Sequence, residues 1–348
     1  MYEIVSVDDF RIFKASCRAR QLYEPLIHDA GRSNAEFLEA RNRVGLGRRI
    51  TGSFVYAHPP NYRGTPTLHW GRKEWSKLLR RMKHLGMDTA IFQAAVWNEL
   101  GECYYPSRAF AEYRSWNVIE PFLEAAQQEE VTVFIGGYGS TSGWQEHLTP
   151  GQTAREEGAC LACLNELLRY RDAFEGFYFA SETAYTGTPN PRKTASLNRI
   201  YGSFFRHLKA ADETIRILMS PATKYFPGKE AEMEAHWAAM LDGVPLDILA
   251  PQDSIGTCGS RLSHAEEMYR VWKRICDRRG ISLWANIELF ERKDLGRVDN
   301  SIPANPHRVA AQIEAAAQAE ADPLWRMPLW KPYADALDSD VAEIKNDP

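Results

Sequence analysis

Short apolar runs alternate with longer amphipathic stretches along most of the chain, from about Arg49 onward. The runs are continuously apolar and rich in β-branched and aromatic residues, which is typical of strands covered on both faces. We predict eight strands from them: Ile50–Ala57, Asp88–Gln93, Val131–Gly137, Phe174–Glu182, Ile215–Pro221, Asp247–Asp253, Leu283–Glu288 and Leu324–Trp330.

The stretches between these strands carry apolar residues at helical spacing, and the first of them stops at Gly86. Strict alternation of strand and helix implies parallel strands joined by right-handed crossovers. Eight such units predict an α/β fold, a (β/α)8 TIM barrel. The predicted helices are Trp75–Leu85, Trp116–Gln128, Arg155–Tyr170, Ala195–Ala211, Glu230–Leu241, Ser263–Arg278 and Pro306–Ala319.

A doubly wound sheet is the structural alternative to a barrel. That fold carries a glycine-rich turn between its first strand and first helix, where it holds a dinucleotide. In this chain the glycines of Gly136–Gly139 follow the third predicted strand and lead into a long loop. The sequence therefore favours the barrel.

Three regions follow from the pattern. Residues 1–48 are polar and irregular, with one helix predicted at Asn34–Arg43, and we expect them to form an N-terminal extension packed on the outside of the barrel. Residues 49–333 form the predicted TIM-barrel catalytic domain. Residues 334–348 form an acidic C-terminal tail.

Composition narrows the range of partners. The chain of 348 residues has 44% hydrophobic and 25% charged residues, as soluble globular proteins do. Its net charge of -4 gives no basic surface for a polyanion, so we expect no nucleic-acid partner. The 10 Trp and 15 Tyr residues suit a carbohydrate, because sugar rings present apolar C–H faces to aromatic planes, although most aromatic residues belong to the core.

The chain has no apolar run long enough for a transmembrane helix, and Met1–Asp9 lacks the basic and apolar regions of a signal peptide. Cys160 and Cys163 form a C-x-x-C pair inside a predicted helix rather than at its start, so we interpret them as buried thiols in a reducing compartment. These features predict a cytoplasmic protein without a membrane partner.

In a TIM barrel the functional side chains stand at the carboxyl ends of the strands. The residues predicted there are rich in carboxylates, amides and aromatic rings, and Asn286 and Glu288 alternate on one side of a buried strand. The substrate-binding candidates are Tyr56, His58, Gln93, Trp97, Tyr104, Tyr138, Trp144, Lys224, Tyr225, Gln252, Asn286 and Trp330.

Glu182 and Glu288 end the fourth and seventh predicted strands, which lie across the barrel mouth from each other. Glycoside hydrolysis needs two carboxyl groups flanking the scissile bond, one to protonate the leaving oxygen and one to attack or to activate water. Asp253 is the third catalytic candidate, since an inverting enzyme could pair it with Glu182. Each of these carboxylates could instead cap a helix or form an ion pair.

The placement of the two glutamates resembles that in the large clan of retaining glycosidases built on TIM barrels. In that clan the strand-four glutamate is the acid/base and the strand-seven glutamate is the nucleophile. The resemblance therefore implies these roles for Glu182 and Glu288, and a retaining mechanism. The clan has an asparagine before its strand-four glutamate, where this chain has Ser181, so the contact of that asparagine with the sugar 2-hydroxyl is not carried over.

Short pieces spread along the barrel, among them Gly176–Tyr178 with Glu182 and Trp284–Glu288, are more closely similar to a bacterial family of TIM-barrel proteins of unknown function that is grouped with glycoside hydrolases. The similarity covers about residues 50–292, most of the barrel, and implies sugar hydrolysis by analogy, because a fold alone does not assign a function. The matching pieces are Gly52–Phe54, Trp75 with Met82, Gly86–Thr89, Gln93, Tyr104–Ser107, Gly176–Tyr178 with Glu182, Pro251–Asp253 and Trp284–Glu288.

Two other functions fit the same fold. A metal-dependent sugar isomerase or epimerase needs His together with Asp and Glu at strand ends to hold a divalent cation. Only His58 among the nine histidines stands at a predicted strand end, so we predict no metal and no cofactor. A non-catalytic carbohydrate-binding protein would keep the groove and would bind sugar unchanged after loss of either glutamate.

Overall fold

The computed structural model describes residues 50–57, 67–145, 147–185, 187–256, 260–292, 301–320 and 322–326. The predicted extension over residues 1–48 and the predicted tail over residues 334–348 lie outside these ranges, and so do the candidates His58 and Trp330.

Eight parallel strands form the central sheet. Each pairs with the next along the chain, and β1 also pairs with β8 through Ser53 and Trp325, so the sheet closes on itself. The prediction of an α/β fold with a parallel sheet is confirmed. The strands are β1 (Gly52–Tyr56), β2 (Thr89–Gln93), β3 (Thr132–Gly136), β4 (Gly176–Phe179), β5 (Arg216–Met219), β6 (Ile248–Leu249), β7 (Ser282–Glu288) and β8 (Asp322–Arg326).

Helices alternate with these strands throughout the described chain. Their apolar faces are buried, so that Trp75 and Leu79 of the first helix and Trp272 of the sixth have no exposed surface. The helices are α1 (Arg72–His84), α2 (Ile119–Gln128), α3 (Pro150–Leu167), α4 (Pro191–Ala211), α5 (Glu230–Met240), α6 (Ala265–Asp277) and α7 (Pro306–Gln318).

Three helices begin earlier than their apolar spacing predicts, and two of them, α3 and α4, begin at a proline. α3 begins at Pro150 instead of Arg155, and α4 begins at Pro191 instead of Ala195. In each case the preceding side chain, Thr149 or Asn190, accepts a hydrogen bond from a backbone N–H of the first turn. Proline is favoured at the first helical position because its missing N–H would have no partner there.

The register of the sheet fixes which side chains point into the barrel. The ring of Phe54 in β1 lies 5.3 Å from that of Tyr178 in β4, and the ring of Phe134 in β3 lies 5.5 Å from that of Trp284 in β7. These pairs join strands that are not neighbours in the sheet, so the four rings lie in the barrel interior. Side chains alternate along a strand, and every second residue after these rings therefore faces the opening at the carboxyl ends, which we call the barrel mouth.

Short strands surround the barrel mouth. One small sheet stands beyond β2 and β3, and we call it the mouth wall. Ala184–Tyr185 pairs with Ala222–Thr223 beyond β4 and β5, and Phe290–Arg292 pairs with Ser301–Pro303 beyond β7. The strands of the mouth wall are Val96–Trp97, Glu102–Cys103, Arg114–Ser115 and Tyr138–Gly139.

Cys160 and Cys163 lie within α3 as free, buried thiols, and burial raises the pKa of both. Their interpretation as buried thiols is confirmed. Over the described ranges, no helix has both the length and the apolar character needed to cross a membrane.

Candidate functional site

Glu288 is the last residue of β7, and its position in the strand directs its side chain into the barrel mouth. Trp284, Asn286 and Glu288 alternate along β7, and Trp284 lies in the barrel interior beside Phe134. Asn286 and Glu288 are 0% and 1% exposed. A carboxylate therefore stands in an enclosed part of the mouth, with an amide directly below it on the same strand.

Glu182 lies three residues beyond the end of β4, on the same face as the interior residue Tyr178. The Glu182 side chain is 3% exposed, and its Oε1 accepts a hydrogen bond of 3.1 Å from Gln252 Nε2. β4 ends at Phe179, so the predicted strand Phe174–Glu182 is too long, and Glu182 stands on a buried loop.

Gln252 joins strand ends across this side of the mouth. It follows β6 and forms backbone bridges with Ala222 and with Asn286. Besides Glu182, its Nε2 reaches the carbonyl oxygen of Ser220 at 3.3 Å. The Ser220 hydroxyl in turn accepts a hydrogen bond of 2.7 Å from Asn286 Nδ2. A chain of buried polar groups thus connects Glu182 with β7.

Two buried amide oxygens at the mouth have no hydrogen-bond donor among the described residues. They are Gln93 Oε1 and Asn286 Oδ1, on side chains that are 2% and 0% exposed. Gln93 ends β2 and pairs with Tyr56 at the end of β1, so the two side chains lie side by side. A buried acceptor without a donor costs about 1–3 kcal/mol, and a ligand hydroxyl would remove that cost.

Asp253 stands on the opposite face of the strand end that carries Gln252, because neighbouring side chains alternate. Its Oδ1 accepts a hydrogen bond of 3.2 Å from Ile255 N, and its Oδ2 contacts Gln312 Nε2 of α7. Both oxygens lie 3.4 Å from the backbone nitrogen of Glu288. The structure therefore places Asp253 behind β7, toward the helices, so the geometry does not support pairing it with Glu182 across a substrate.

The pKa of the Asp253 carboxyl is raised above its ordinary value. Burial is the largest cause and the negative charge of Glu288 is the second, while Arg308 and the Gln312 amide act in the opposite direction. Burial and a neighbouring negative charge both disfavour the ionised form of a carboxyl. Asp253 therefore retains its proton at a pH where a solvated aspartic acid has lost it.

A second group of polar side chains holds the loop that carries Glu182. Ser181 alternates with Glu182 and points toward α3, where its hydroxyl lies 3.2 Å from Glu156 Oε1. Ser140 and Ser142 donate to the same oxygen. The Ser181 hydroxyl is engaged in this cluster, so it does not replace the asparagine of the retaining glycosidase clan in the mouth.

Three of the aromatic candidates belong to the mouth wall or adjoin it. Tyr104 is 1% exposed, and its hydroxyl donates to Glu102 Oε2 at 2.6 Å. Tyr138 stacks on Phe110 with 5.8 Å between ring centroids. Trp97 is also buried in this wall. These rings shape one side of the mouth, and their contact with a substrate stays a prediction.

The remaining candidates follow β3 or β5 or lie outside the described ranges. The Tyr225 hydroxyl donates to Glu230 Oε1 at 2.5 Å, and Lys224 is partly exposed beside it. For Trp144 the structure describes the backbone, which ends the 3-10 helix Ser142–Trp144. His58 and Trp330 are not among the described residues, so their roles stay predictions.

Sequence reasoning missed three residues that support the two glutamates: Glu156, Arg308 and Gln312. Each lies in an amphipathic helix, where a polar residue normally marks the solvent-facing side. Each is instead at least nine-tenths buried. In the described part of the chain, no three His, Cys, Asp or Glu side chains form a group that could hold a metal ion.

Gly143 packs against the main chain of Glu182. A Cβ atom at this position would lie 1.9 Å from the Glu182 carbonyl oxygen, so the loop would have to move. We expect Gly143→Ala to lower the free energy of unfolding by about 1–3 kcal/mol, as overpacking does. Glu182 is a predicted catalytic residue, and misplacing a catalytic group by about 1 Å costs about 100-fold in rate, so we also expect turnover to fall by about that factor. Thermal unfolding and initial rates measure the two effects.

Gly158→Ala in α3 is the matched control, because a Cβ atom there would meet nothing within 4 Å. It should stabilise the helix by about 0.5–1 kcal/mol and leave turnover unchanged. A Gly143→Ala protein as stable as the wild type would show that the crowding is absent.

The chain belongs to the family described as a domain of unknown function, DUF4434, which matches residues 50–326. The match runs from β1 to the end of β8 and includes Glu182, Asp253 and Glu288. The resemblance to a TIM-barrel family of unknown function is therefore confirmed. No curated protein matches the chain in sequence.

Solved structures with a similar fold include named glycoside hydrolases. A candidate α-L-fucosidase from Bacteroides thetaiotaomicron VPI-5482 is 21% identical, with 82% of this chain and 86% of that chain covered and a TM-score of 0.64. The endo-1,4-β-D-mannanase of Thermotoga petrophila RKU-1 is 11% identical, with 81% and 89% covered and a TM-score of 0.53. A GH10 endoxylanase from a sugarcane soil metagenome is 12% identical, with 82% and 88% covered and a TM-score of 0.50. At these identities the similarity shows a shared glycosidase-like fold.

Proposed function

We propose that this DUF4434 protein is a glycoside hydrolase that uses Glu182 and Glu288 in a retaining mechanism. The observation that carries the proposal is the pair of buried carboxylates on the interior face of one barrel end, one beyond β4 and one at the end of β7. Glycoside hydrolysis is a reaction that needs two carboxyl groups on opposite sides of one bond.

In this proposal Glu182 is the general acid and Glu288 is the nucleophile. Glu288 attacks the anomeric carbon while the bond to the leaving oxygen breaks and that oxygen takes the proton of Glu182. Water, deprotonated by Glu182, then hydrolyses the glycosyl ester and releases Glu288. Gln252 orients the Glu182 carboxyl through Oε1, and Arg308 holds the Glu288 carbonyl at 3.1 Å, so both groups are fixed before substrate binds.

The polar groups at the mouth support a substrate with several hydroxyls. Gln93 and Asn286 present buried amide oxygens that lack a donor among the described residues, and sugar hydroxyls are suitable donors. The structurally similar hydrolases are named for mannan, xylan and fucosides, so their names agree on the type of bond and differ in the sugar. The proposal therefore covers O-glycosides as a class.

A panel of aryl glycosides of different sugars and both anomeric configurations tests the proposal. We expect release of the aryl alcohol from at least one of them, at the same rate with and without EDTA. Proton NMR of the first product should show the anomeric configuration of the substrate, because two successive inversions restore it.

Other outcomes would favour other functions. Activity that disappears with EDTA and returns with a divalent cation would favour a sugar isomerase or epimerase. Tight sugar binding without turnover, unchanged in Glu182→Gln and Glu288→Ala, would favour a binding protein. A first product of inverted configuration would contradict the retaining mechanism while leaving hydrolysis in place.

A further inference from the structure

Asp253 lies directly behind the peptide of Glu288. Its oxygens face the Glu288 N–H at 3.4 Å, and Ile255 N donates to the same carboxyl at 3.2 Å. On the other side, Gln312 Nε2 and Arg308 Nη2 reach the Glu288 carbonyl oxygen at 3.4 and 3.1 Å. Both polar groups of the residue that carries the proposed nucleophile are therefore held from behind, the N–H by Asp253 and the carbonyl by two side chains of α7.

The charges of this set do not cancel if both carboxyls are ionised. Asp253, Glu288 and Arg308 are 0%, 1% and 3% exposed. Taken by themselves, these three groups would carry a net negative charge, and burying a net charge is costly. A proton on one carboxyl removes that charge. Glu288 must be ionised to attack a sugar, so the proton belongs on Asp253.

The amide of Gln312 is placed to accept that proton in a hydrogen bond. Its Nε2 contacts Asp253 Oδ2, and its Oε1 is buried with no donor among the described residues. The nitrogen and oxygen of an amide exchange places by rotation about one bond and are assigned from their partners. After this rotation, a protonated Asp253 donates to Gln312 Oε1. The Glu288 carbonyl then loses its 3.4 Å contact with Gln312 Nε2 and keeps its bond from Arg308.

We propose that Asp253 is a positioning residue for Glu288. Asp253 is protonated, donates a hydrogen bond to Gln312 and holds the backbone N–H of Glu288. This inference deepens the proposed function and rests on the role given there to Glu288. Burial and the Glu288 charge both raise the pKa of Asp253, in agreement with the proposal.

Other titratable and charged groups surround Asp253. Burial and the charges of Asp253 and Glu288 raise the pKa of Tyr269, so it stays neutral. Burial lowers the pKa of His264, so it adds little positive charge at neutral pH. Among the described residues, these groups are Glu288 on β7, Arg308 on α7, Tyr269 on α6, Arg261 and His264 before α6, and Tyr225 after β5, the last three lining a small cavity beside Asp253.

Kinetics of two variants test the positioning role. We expect Asp253→Ala to lower kcat about 100-fold through misplacement of Glu288, with KM changed less than about threefold because substrate contacts remain. Asp253→Asn keeps the shape and places a donor next to Gln312, so it should recover kcat to within about tenfold of the wild type. A folded Asp253→Asn protein as inactive as Glu288→Ala would mean that Asp253 exchanges a proton with the substrate, and would overturn the proposal.

Stability measurements test the proton and need no substrate. A carboxyl whose pKa is raised in the folded state keeps a proton there at a pH where the unfolded chain has lost it. Its contribution to the free energy of unfolding is therefore present at low pH and disappears as the pH rises toward the folded-state pKa. Asp253→Asn removes this dependence. The melting temperature of Asp253→Asn minus that of the wild type should therefore be about 5 °C higher at about pH 8 than at about pH 5.

Asp212→Asn is the matched control. Hydrogen bonds from Thr214 and Arg171 lower the pKa of Asp212 to about 2, so it is ionised in both states across this range and its effect should be the same at each pH. If the difference in melting temperature between Asp253→Asn and the wild type were also the same at each pH, Asp253 would hold no proton. The difference in melting temperature could also rise with pH in a protein that hydrolyses no glycoside. That result would support a protonated Asp253 and would contradict only the glycosidase proposal.

Discussion

Glu288→Ala is expected to abolish glycoside hydrolysis. The variant lacks the oxygen that forms the glycosyl ester, so no covalent route remains. We expect kcat to fall by more than about 10⁴-fold, beyond what one proton-transferring side chain usually contributes. The initial rate on the aryl glycoside found in the panel measures this effect.

Azide should restore part of the activity of Glu288→Ala. Removal of the carboxylate leaves space beside the anomeric carbon, and a small anion can attack from there while an activated aryl group departs. The product is then a glycosyl azide of inverted configuration, which NMR identifies. The inverted configuration assigns the nucleophile, because azide that attacks a glycosyl ester in place of activated water gives a product of retained configuration.

The control for this experiment is Glu175→Ala. Glu175 is exposed and lies just before β4, at the opposite end of the barrel. It should leave the rate unchanged. Glu288→Gln, which keeps the side-chain volume, guards against a folding defect, since Glu288 is buried. Wild-type turnover by a folded Glu288→Ala protein would end the proposed mechanism.

The order of strands and helices could be predicted from apolar spacing because burial imposes the period of each element. β2 ends at Gln93 as predicted, and α7 begins at Pro306 as predicted. The apolar pattern predicts the last strand too late, at Leu324–Trp330, whereas β8 spans Asp322–Arg326. Strand ends and first helical turns are polar, so their limits depend on capping and pairing rather than on apolar spacing.

The faces of the strand ends could have been predicted more fully than they were. Period-two alternation separates Gln252 from Asp253 and Glu182 from Ser181. Gln252 and Glu182 meet in a hydrogen bond, while Asp253 and Ser181 turn toward α7 and α3. Gln252 and Asp253 therefore cannot both point into the mouth.

The supporting contacts could not be predicted from one sequence. Gln312 meets Asp253 across 59 residues of chain, and Gln252 meets Glu182 across 70. Nothing in the local sequence around Gln312 distinguishes it from a solvent-facing residue of an amphipathic helix. Such pairs depend on the closed barrel, which brings the flanking helices behind particular strand ends.

Glu182→Gln should lower the rate of hydrolysis most for the substrates with the poorest leaving groups. The variant cannot donate a proton, so an alkyl or sugar leaving group loses about 10²–10⁴-fold in rate. A nitrophenyl group departs without protonation, so the step that forms the glycosyl ester should be nearly unaffected for it. Comparing kcat/KM over a series of aryl glycosides, plotted against the pKa of the released phenol, measures this difference.

The fold of Glu182→Gln should survive, because Oε1 can still accept the hydrogen bond from Gln252 Nε2. Glu175→Gln, the same substitution at an exposed site, should give the wild-type dependence on the leaving group. If kcat/KM depends more steeply on the pKa of the released phenol in Glu182→Gln than in the wild type, this residue donates the proton. Misfolding would instead lower kcat/KM for all substrates by the same factor. Equal losses across the series would instead make Glu182 a substrate-binding residue, and the acid would have to be sought elsewhere at the mouth.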